Sequence, residues 1–317
     1  MKAAMVHEIG GTPRAEEIAA PVPGEGEVLV RVLAAPINAV DKSRVAGTHH
    51  SRPELPAVAG FVGAGELSDG RRVIFMKMAG GSMAEQVAVN PAQLIPIPDG
   101  VDPAVAAAAF NPGLSAWWTV HHRGPVEPGS RVLVQGATGV TGKLAVQLAR
   151  LRGAGHIVAS GRNPSALEEL LELGADATIR VDQPDEALAK AYRAHEGDGW
   201  DLIIDYLWGH PTEVLLETLI RHDAVGRNLR TRLVEVGDIA GADLALPAAV
   251  LRSAGLEIAG MGTGTAPDPQ QIAALIRELY ELLRTGAIRV DIERVPLDRV
   301  AEVWHRDQGG RRPVLIP

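Results

Sequence analysis

The feature that most constrains this chain is one stretch of twelve residues, Arg131-Val132-Leu133-Val134-Gln135 followed by Gly136-Ala137-Thr138-Gly139-Val140-Thr141-Gly142. A compact apolar run of this kind suits a strand covered on both faces in a parallel sheet. Glycines at its end let the backbone turn sharply and approach a bound group closely. A helical pattern follows, with Leu144, Leu148 and Leu151 at helical spacing. Strand, glycine turn and helix together form a cradle for a dinucleotide pyrophosphate, because a helix start presents free N–H groups and the positive end of a dipole. The competing phosphate motif, the P-loop, fails here. Lys143 follows a glycine, but Leu144 stands where serine or threonine must ligate magnesium.

The same alternation continues downstream. Ile157-Val158-Ala159, Ala177-Thr178-Ile179, Leu202-Ile203-Ile204 and Leu233-Val234-Glu235-Val236 are short apolar strands separated by helical patterns. That order predicts a doubly wound α/β domain with a parallel sheet. The first hundred residues differ in texture: 27–33, 71–76 and 84–89 read as strands between Pro23-Gly24, Asp69-Gly70 and Gly80-Gly81. A helix starts near Pro103 and is expected to break around Asn111-Pro112-Gly113. The tail carries an amphipathic helix from Pro269 to Arg284, a strand over 290–296 and a last strand over 313–316.

Composition narrows the function. The 317 residues suit two domains. A net charge of −8 argues against a nucleic-acid-binding face, and no run of about 18 apolar residues predicts a membrane span. The start of the chain reads as a strand rather than a secretory leader, so a cytoplasmic address is expected. Cysteine is absent, which removes disulfides, thiolate nucleophiles and thiolate zinc sites. The adjacent pairs His49-His50 and His121-His122 point in different directions on any regular element, so no metal site is expected from them.

The second strand speaks to the cofactor. An NAD-preferring site carries Asp or Glu about 20 residues past the turn, on the ribose 2′-OH. This chain has Val158-Ala159-Ser160-Gly161-Arg162-Asn163 there. Ser160 and Arg162 instead suit a 2′-phosphate, through a hydroxyl and a guanidinium fork, so NADPH is the expected cofactor.

With these residues in view, the chain resembles the medium-chain dehydrogenase/reductase superfamily, in its zinc-independent quinone oxidoreductase branch. The likeness is carried by 35–41 (Ala-Pro-Ile-Asn-Ala-Val-Asp), 95–101 (Ile-Pro-Ile-Pro-Asp-Gly-Val), 128–137, 145–149 and the closing Pro313-Val314-Leu315. It implies a GroES-like β-rich catalytic domain over 1–122 and 265–317, with a Rossmann doubly wound parallel-sheet domain over 123–264. It further implies that substrate and nicotinamide meet between them, and that the protein is a homodimer paired through the edge strand near 256–260.

Zinc-dependent relatives place cysteine where this chain has Asn38, and Gly-His-Glu where it has Gly60-Phe61-Val62. The resemblance therefore implies metal-free hydride transfer to a small-molecule quinone or α,β-unsaturated carbonyl compound. Such chemistry needs orientation and a hydrogen-bond donor at the carbonyl more than a Lewis acid. Asn38 and Asp41 match the branch's Asn-x-x-Asp element: Asn38 as the donor, Asp41 as the group that fixes the loop. Beyond Gly136–Thr141, Ser160 and Arg162, the family pattern implies cofactor contacts from Val236, Gly237, Met261, Gly262 and Arg312, the last toward the 2′-phosphate. Enoyl reductases of the branch often carry tyrosine where Ser43 stands, so the proton donor is open among Lys42, His49 and water. An enoyl-thioester reductase, and an NADPH-binding sensor or structural protein with little catalysis, are the alternatives.

Overall fold

The computed structural model describes residues 1–49, 51–77, 80–220 and 230–317; His50 lies outside them. The chain opens with strands β1 (Lys2–Val6), β2 (Arg14–Glu17) and β3 (Val28–Pro36), then helix α1 (Ala39–Ala46). Strands β4 (Ala57–Val58), β5 (Val62–Glu66), β6 (Arg72–Met76), β7 (Gln86–Val89) and β8 (Leu94–Pro96) follow, then helix α2 (Pro103–Trp118). The alternating part is β9 (Arg131–Gln135), α3 (Val140–Leu151), β10 (His156–Gly161), α4 (Pro164–Glu172), β11 (Ala177–Arg180), α5 (Asp185–Glu196) and β12 (Leu202–Asp205). It continues with α6 (Gly209–Thr218), β13 (Thr231–Glu235), α7 (Ala248–Ser253) and β14 (Leu256–Gly260). The tail is α8 (Pro269–Arg284), β15 (Ile292–Pro296), α9 (Val300–Trp304) and β16 (Arg312–Ile316).

These elements form two compact units, 1–111 with 273–317, and 112–272, so 112–122 and 265–272 fall with the second unit. The first unit is β-rich. A three-stranded sheet runs β2-β1-β4, and a larger one runs β15-β16-β3-β5-β6-β8, with β7 also on β3. The two chain ends meet in it, because β16 pairs antiparallel with β3 through Val314 with Pro36 and Leu315 with Ala35. Its core includes Ile37, Met83, Val300, Leu315 and Trp304, so that tryptophan is a packing residue.

The second unit is a six-stranded sheet in the order β11-β10-β9-β12-β13-β14, with every pairing parallel. Val132, Leu133, Val134 and Gln135 of β9 are wholly buried, which is why that run carries no polar alternation. Helix α3 covers it with Leu144 and Leu148, whereas Leu151, at the helix end, is 51% exposed. Strand order reverses between β9 and β12. In such sheets ligands bind beyond the carboxyl ends of the strands at this point of reversal.

One expectation is corrected. Helix α2 does not break at Asn111-Pro112-Gly113 but runs on to Trp118 with Pro112 inside it. Proline in a helix interior costs about 3 kcal/mol, yet Ala106 to Phe110 and Ala116 are buried on either side of it. Their burial offsets the lost hydrogen bond. No described helix is long and apolar enough to cross a membrane.

Candidate functional site

The glycine turn lies at the carboxyl end of β9, beside the reversal of strand order. Its three glycines have three different physical reasons. Gly136 has φ 73°, and a Cβ there would stand 2.8 Å from Leu207 Cδ2. Gly142 lets α3 press onto the turn, since a Cβ would lie 2.4 Å from Ala137 Cα. Gly139 is different: it is extended, with φ −80° and ψ 165°, and a Cβ on it would meet nothing within 4 Å. It caps α3 with no side-chain hydrogen bond, so the first-turn N–H groups, those of Val140 and Thr141 among them, lack a side-chain cap. An uncapped helix start behind an open glycine face fits an anionic phosphate. Lys143 takes no part in it; its Nζ sits 2.6 Å from Glu169 Oε2.

The turn is tied to the second strand. Ala137 N–H donates to the Ser160 carbonyl at 2.7 Å, and Thr138 lies so close to Gly161 that a Cβ there would be 2.3 Å from its Cγ2. Ser160 is wholly buried with an unpartnered Oγ, while Arg162 is exposed. Val236 and Gly237 follow β13, and both N–H groups donate to the Asp205 carbonyl, at 2.8 and 3.3 Å. Met261 follows β14 and donates to the Glu235 carbonyl at 2.8 Å; Gly262 donates to Thr265 Oγ1 at 3.0 Å. All these residues thus stand at or just beyond the carboxyl ends of parallel strands.

Sequence reasoning passes over a buried polar network at the same edge. Asp205 Oδ1 accepts the N–H groups of Leu207 and Trp208 at 2.9 and 3.1 Å, and Oδ2 accepts Thr212 Oγ1–H at 2.6 Å. Gln135 Nε2 donates to the same hydroxyl oxygen at 3.1 Å, and Tyr192 donates to Gln135 Oε1. Burial pushes the Asp205 carboxyl up, against these donors. The network holds Trp208 at φ 54°, ψ −163°, a region that costs a non-glycine residue about 1–3 kcal/mol. That backbone sets Leu207 against Gly136. An acid directly after Leu202-Ile203-Ile204 is the only local signal for it.

The other candidate residues lie in the first unit. Asn38 caps α1, and Asp41 Oδ2 accepts its backbone N–H at 2.7 Å. Asn38 is 1% exposed, and neither of its amide atoms makes a well-formed hydrogen bond, although the side chain lies close enough to Asp41 to influence its carboxyl. A buried amide left in this state is suited to an incoming carbonyl. Asp41 also lines a cavity of about 510 Å³ with Arg44, Gly60, Met5, Val45 and Arg52. Burial drives the Asp41 carboxyl up to about 6, opposed by the Asn38 hydrogen bonds and the guanidinium groups of Arg312 and Arg44.

Arg312 is the residue expected at the 2′-phosphate. It is a buried residue of the first unit, with Nη1 donating to the Ile37 carbonyl at 2.9 Å. Burial lowers it to about 10, and Asp41 is the charge that opposes this. Only Nη1 is used in this way, and Nε is buried without a hydrogen-bond partner, so the guanidinium is not fully committed within the first unit.

Among the suggested proton donors, Ser43's neighbour Lys42 is half-buried and lowered, first by burial and then by Arg312. Ser43 Oγ itself donates to the Val40 carbonyl at 3.1 Å, and His49 Nδ1 lies 2.9 Å from Ser51 Oγ. His121 stacks on Trp117 at 3.6 Å between ring centroids, and His122 lies tilted by 31° against Trp118 at 3.9 Å. Among the described residues no three His, Asp or Glu side chains converge as a metal site.

A sequence profile of the family described as zinc-binding dehydrogenase matches residues 140–278. Prostaglandin reductase-3 of Bos taurus is 29% identical over 230 residues, 70% of this chain but only 58% of that protein. Quinone oxidoreductase of Pseudomonas aeruginosa is 26% identical over 312 residues, covering 93% of this chain and 92% of its own. Among solved structures, the quinone oxidoreductase from Thermus thermophilus, also solved as its complex with NADPH, superposes with a TM-score of 0.78. It is 27% identical, and the match covers 100% of both chains. With the parallel sheet, the glycine turn and the two-ended β-rich unit, these likenesses define an oxidoreductase of the medium-chain dehydrogenase/reductase superfamily. Within that superfamily the chain belongs to the quinone oxidoreductase branch.

Proposed function

We propose that this chain is an NADPH-dependent, zinc-free reductase of quinones or α,β-unsaturated carbonyl compounds. The observation that carries the proposal is the open face of Gly139 at the uncapped start of α3, beside the reversal of strand order. There the N–H groups of Val140 and Thr141 would hold the pyrophosphate, and Val236, Gly237, Met261 and Gly262 would line the rest of the cofactor. The preference for NADPH is supported by the missing acid at the end of β10 and by exposed Arg162. Ser160, being wholly buried, contributes through the carbonyl that anchors Ala137.

When bound, the cofactor supplies a hydride. Asn38 would orient the acceptor through its amide, donating to the substrate carbonyl where negative charge develops. Asp41 holds that amide in place through the Asn38 backbone. Asn38 and Phe61, standing where zinc-dependent relatives have ligands, support chemistry without the metal.

NADPH oxidation followed with a benzoquinone, a small enal and a crotonyl thioester is the test. Turnover with the quinone or the enal is expected. Turnover confined to the thioester would make the chain an enoyl-thioester reductase. Micromolar NADPH binding with no turnover on any of the three would make it a binding protein.

The reading also includes a homodimer paired through β14, which among the described residues has a neighbour only on its β13 side. Ile258 on β14 and Leu251 on α7, which packs against β14, are exposed at 38 and 40% and support it. Light scattering should return twice the 33.4 kDa chain mass, and Ile258→Asp should halve it. A wild-type monomer would end this part of the proposal.

A further inference from the structure

We propose that Arg180 joins Arg162 as a ligand of the cofactor's 2′-phosphate, and that Asp182 fills the phosphate's place as an internal counter-ion until the cofactor arrives. The inference rests on the NADPH reading above and extends it to two residues that the branch's pattern does not assign.

Three observations lead to it. The first is position. Arg180 ends β11 and stands in register with Gly161, the last residue of β10, and Val181 N–H extends the ladder to the Gly161 carbonyl at 3.0 Å. Gly161 packs on Thr138 of the glycine turn, and Ser160 accepts the Ala137 N–H. The ends of β10 and β11 and the turn therefore make one continuous surface within the second unit. The ribose that carries the 2′-substituent lies beyond the second strand of such a domain.

The second is chemistry. Arg180 presents Nε and Nη2 to the two oxygens of Asp182, at 3.0 and 2.7 Å. That two-pronged geometry is the one by which guanidinium binds a phosphate monoester, so Asp182 stands in for two phosphate oxygens. Arg162 acts on the same carboxylate, joining Arg180 in holding it below its ordinary range. Arg180 thus grips the anion directly while Arg162 acts on it through its charge, and a phosphate carrying more charge competes well for the Arg180 fork.

The third is exchangeability. The Arg180 and Asp182 side chains are 56% and 38% exposed. Solvent-exposed ion pairs are held weakly, so a stronger anion can replace the carboxylate without unfolding anything. The rival role for Asp182 is the opposite one, an acid that holds ribose hydroxyls and favours NADH. The two roles predict opposite effects of removing its charge.

Calorimetric titration of the full chain with adenosine 2′,5′-bisphosphate and with adenosine 5′-monophosphate separates them, with no catalytic step involved. Arg180→Gln is expected to weaken the bisphosphate about ten-fold and to leave the monophosphate unchanged, with Arg180→Lys in between. Asp182→Asn is expected to tighten the bisphosphate about three-fold and to leave the monophosphate unchanged. Unaltered bisphosphate affinity in Arg180→Gln, or weaker binding of both ligands in Asp182→Asn, overturns the inference. Loss of bisphosphate preference in Arg162→Gln but not in Arg180→Gln would sink this inference and leave the NADPH reading standing. A wild-type chain that binds both ligands equally would sink both.

Discussion

Gly139→Asp should make the apo protein more stable and at the same time abolish dinucleotide binding. Gly139 already has the extended backbone of a helix N-cap, and a side chain there meets no atom within 4 Å. Aspartate is among the best N-cap residues, worth about 1 kcal/mol through a hydrogen bond to the first-turn N–H groups and the helix dipole. For a unit of this size that raises the unfolding midpoint by about 2–4 °C. The same carboxylate occupies the space and the N–H groups proposed for the pyrophosphate, and it carries the same sign of charge. NADPH affinity should fall at least about 100-fold, or about 2.7 kcal/mol. Gly142→Ala is the matched control. Its Cβ would stand 2.4 Å from the Ala137 backbone, so the turn must shift and stability falls together with binding. Thermal unfolding and a fluorescence titration with NADPH check both variants. Wild-type affinity in Gly139→Asp would remove the turn from the cofactor site.

How much of this is legible in the sequence depends on the range of the interactions involved. The parallel sheet can be read because strands buried on both faces leave near-continuous apolar runs, and 132–134 is one of them. The three glycines are legible as a group, but their division of labour is not. Open space at Gly139 and close packing at Gly142 are properties of neighbours that the local sequence does not set. The return of the tail to the head comes from resemblance alone, since nothing local in Val314 or Pro36 says that they pair. Arg312 illustrates the same limit: it sits at the expected place in the chain, and its placement by Ile37 and Asp41 is set by packing. Asp205 escapes local reading because Gln135 and Tyr192, which complete its network, lie 70 and 13 residues before it. Pro112 misleads in the other direction, because burial on both sides of it overrides a local helix breaker.

Asp41 gives the second large effect, and its sign is set by pH. Its ordinary value is 3.8 and burial raises it to about 6 in the folded chain. The folded state therefore favours the protonated carboxyl. Stability from this group is full below about pH 4 and is lost as pH rises through 6, a difference of about 3 kcal/mol. Asp41→Asn keeps an acceptor for the Asn38 N–H but has nothing to ionise. Relative to this variant, wild type should lose about 2–3 kcal/mol between pH 4 and 7.5 in urea unfolding. A constant difference across that range would mean that Asp41 is not desolvated. Asp41→Ala tests the other half of the role. It leaves the buried Asn38 N–H without an acceptor and Arg312 without its opposing charge, so a loss of about 2 kcal/mol relative to Asp41→Asn is expected at every pH. The two variants should also part in turnover. With the α1 cap intact, Asp41→Asn keeps the Asn38 amide oriented and retains activity. Asp41→Ala releases the amide and loses it, because the aspartate acts through Asn38 rather than on the substrate.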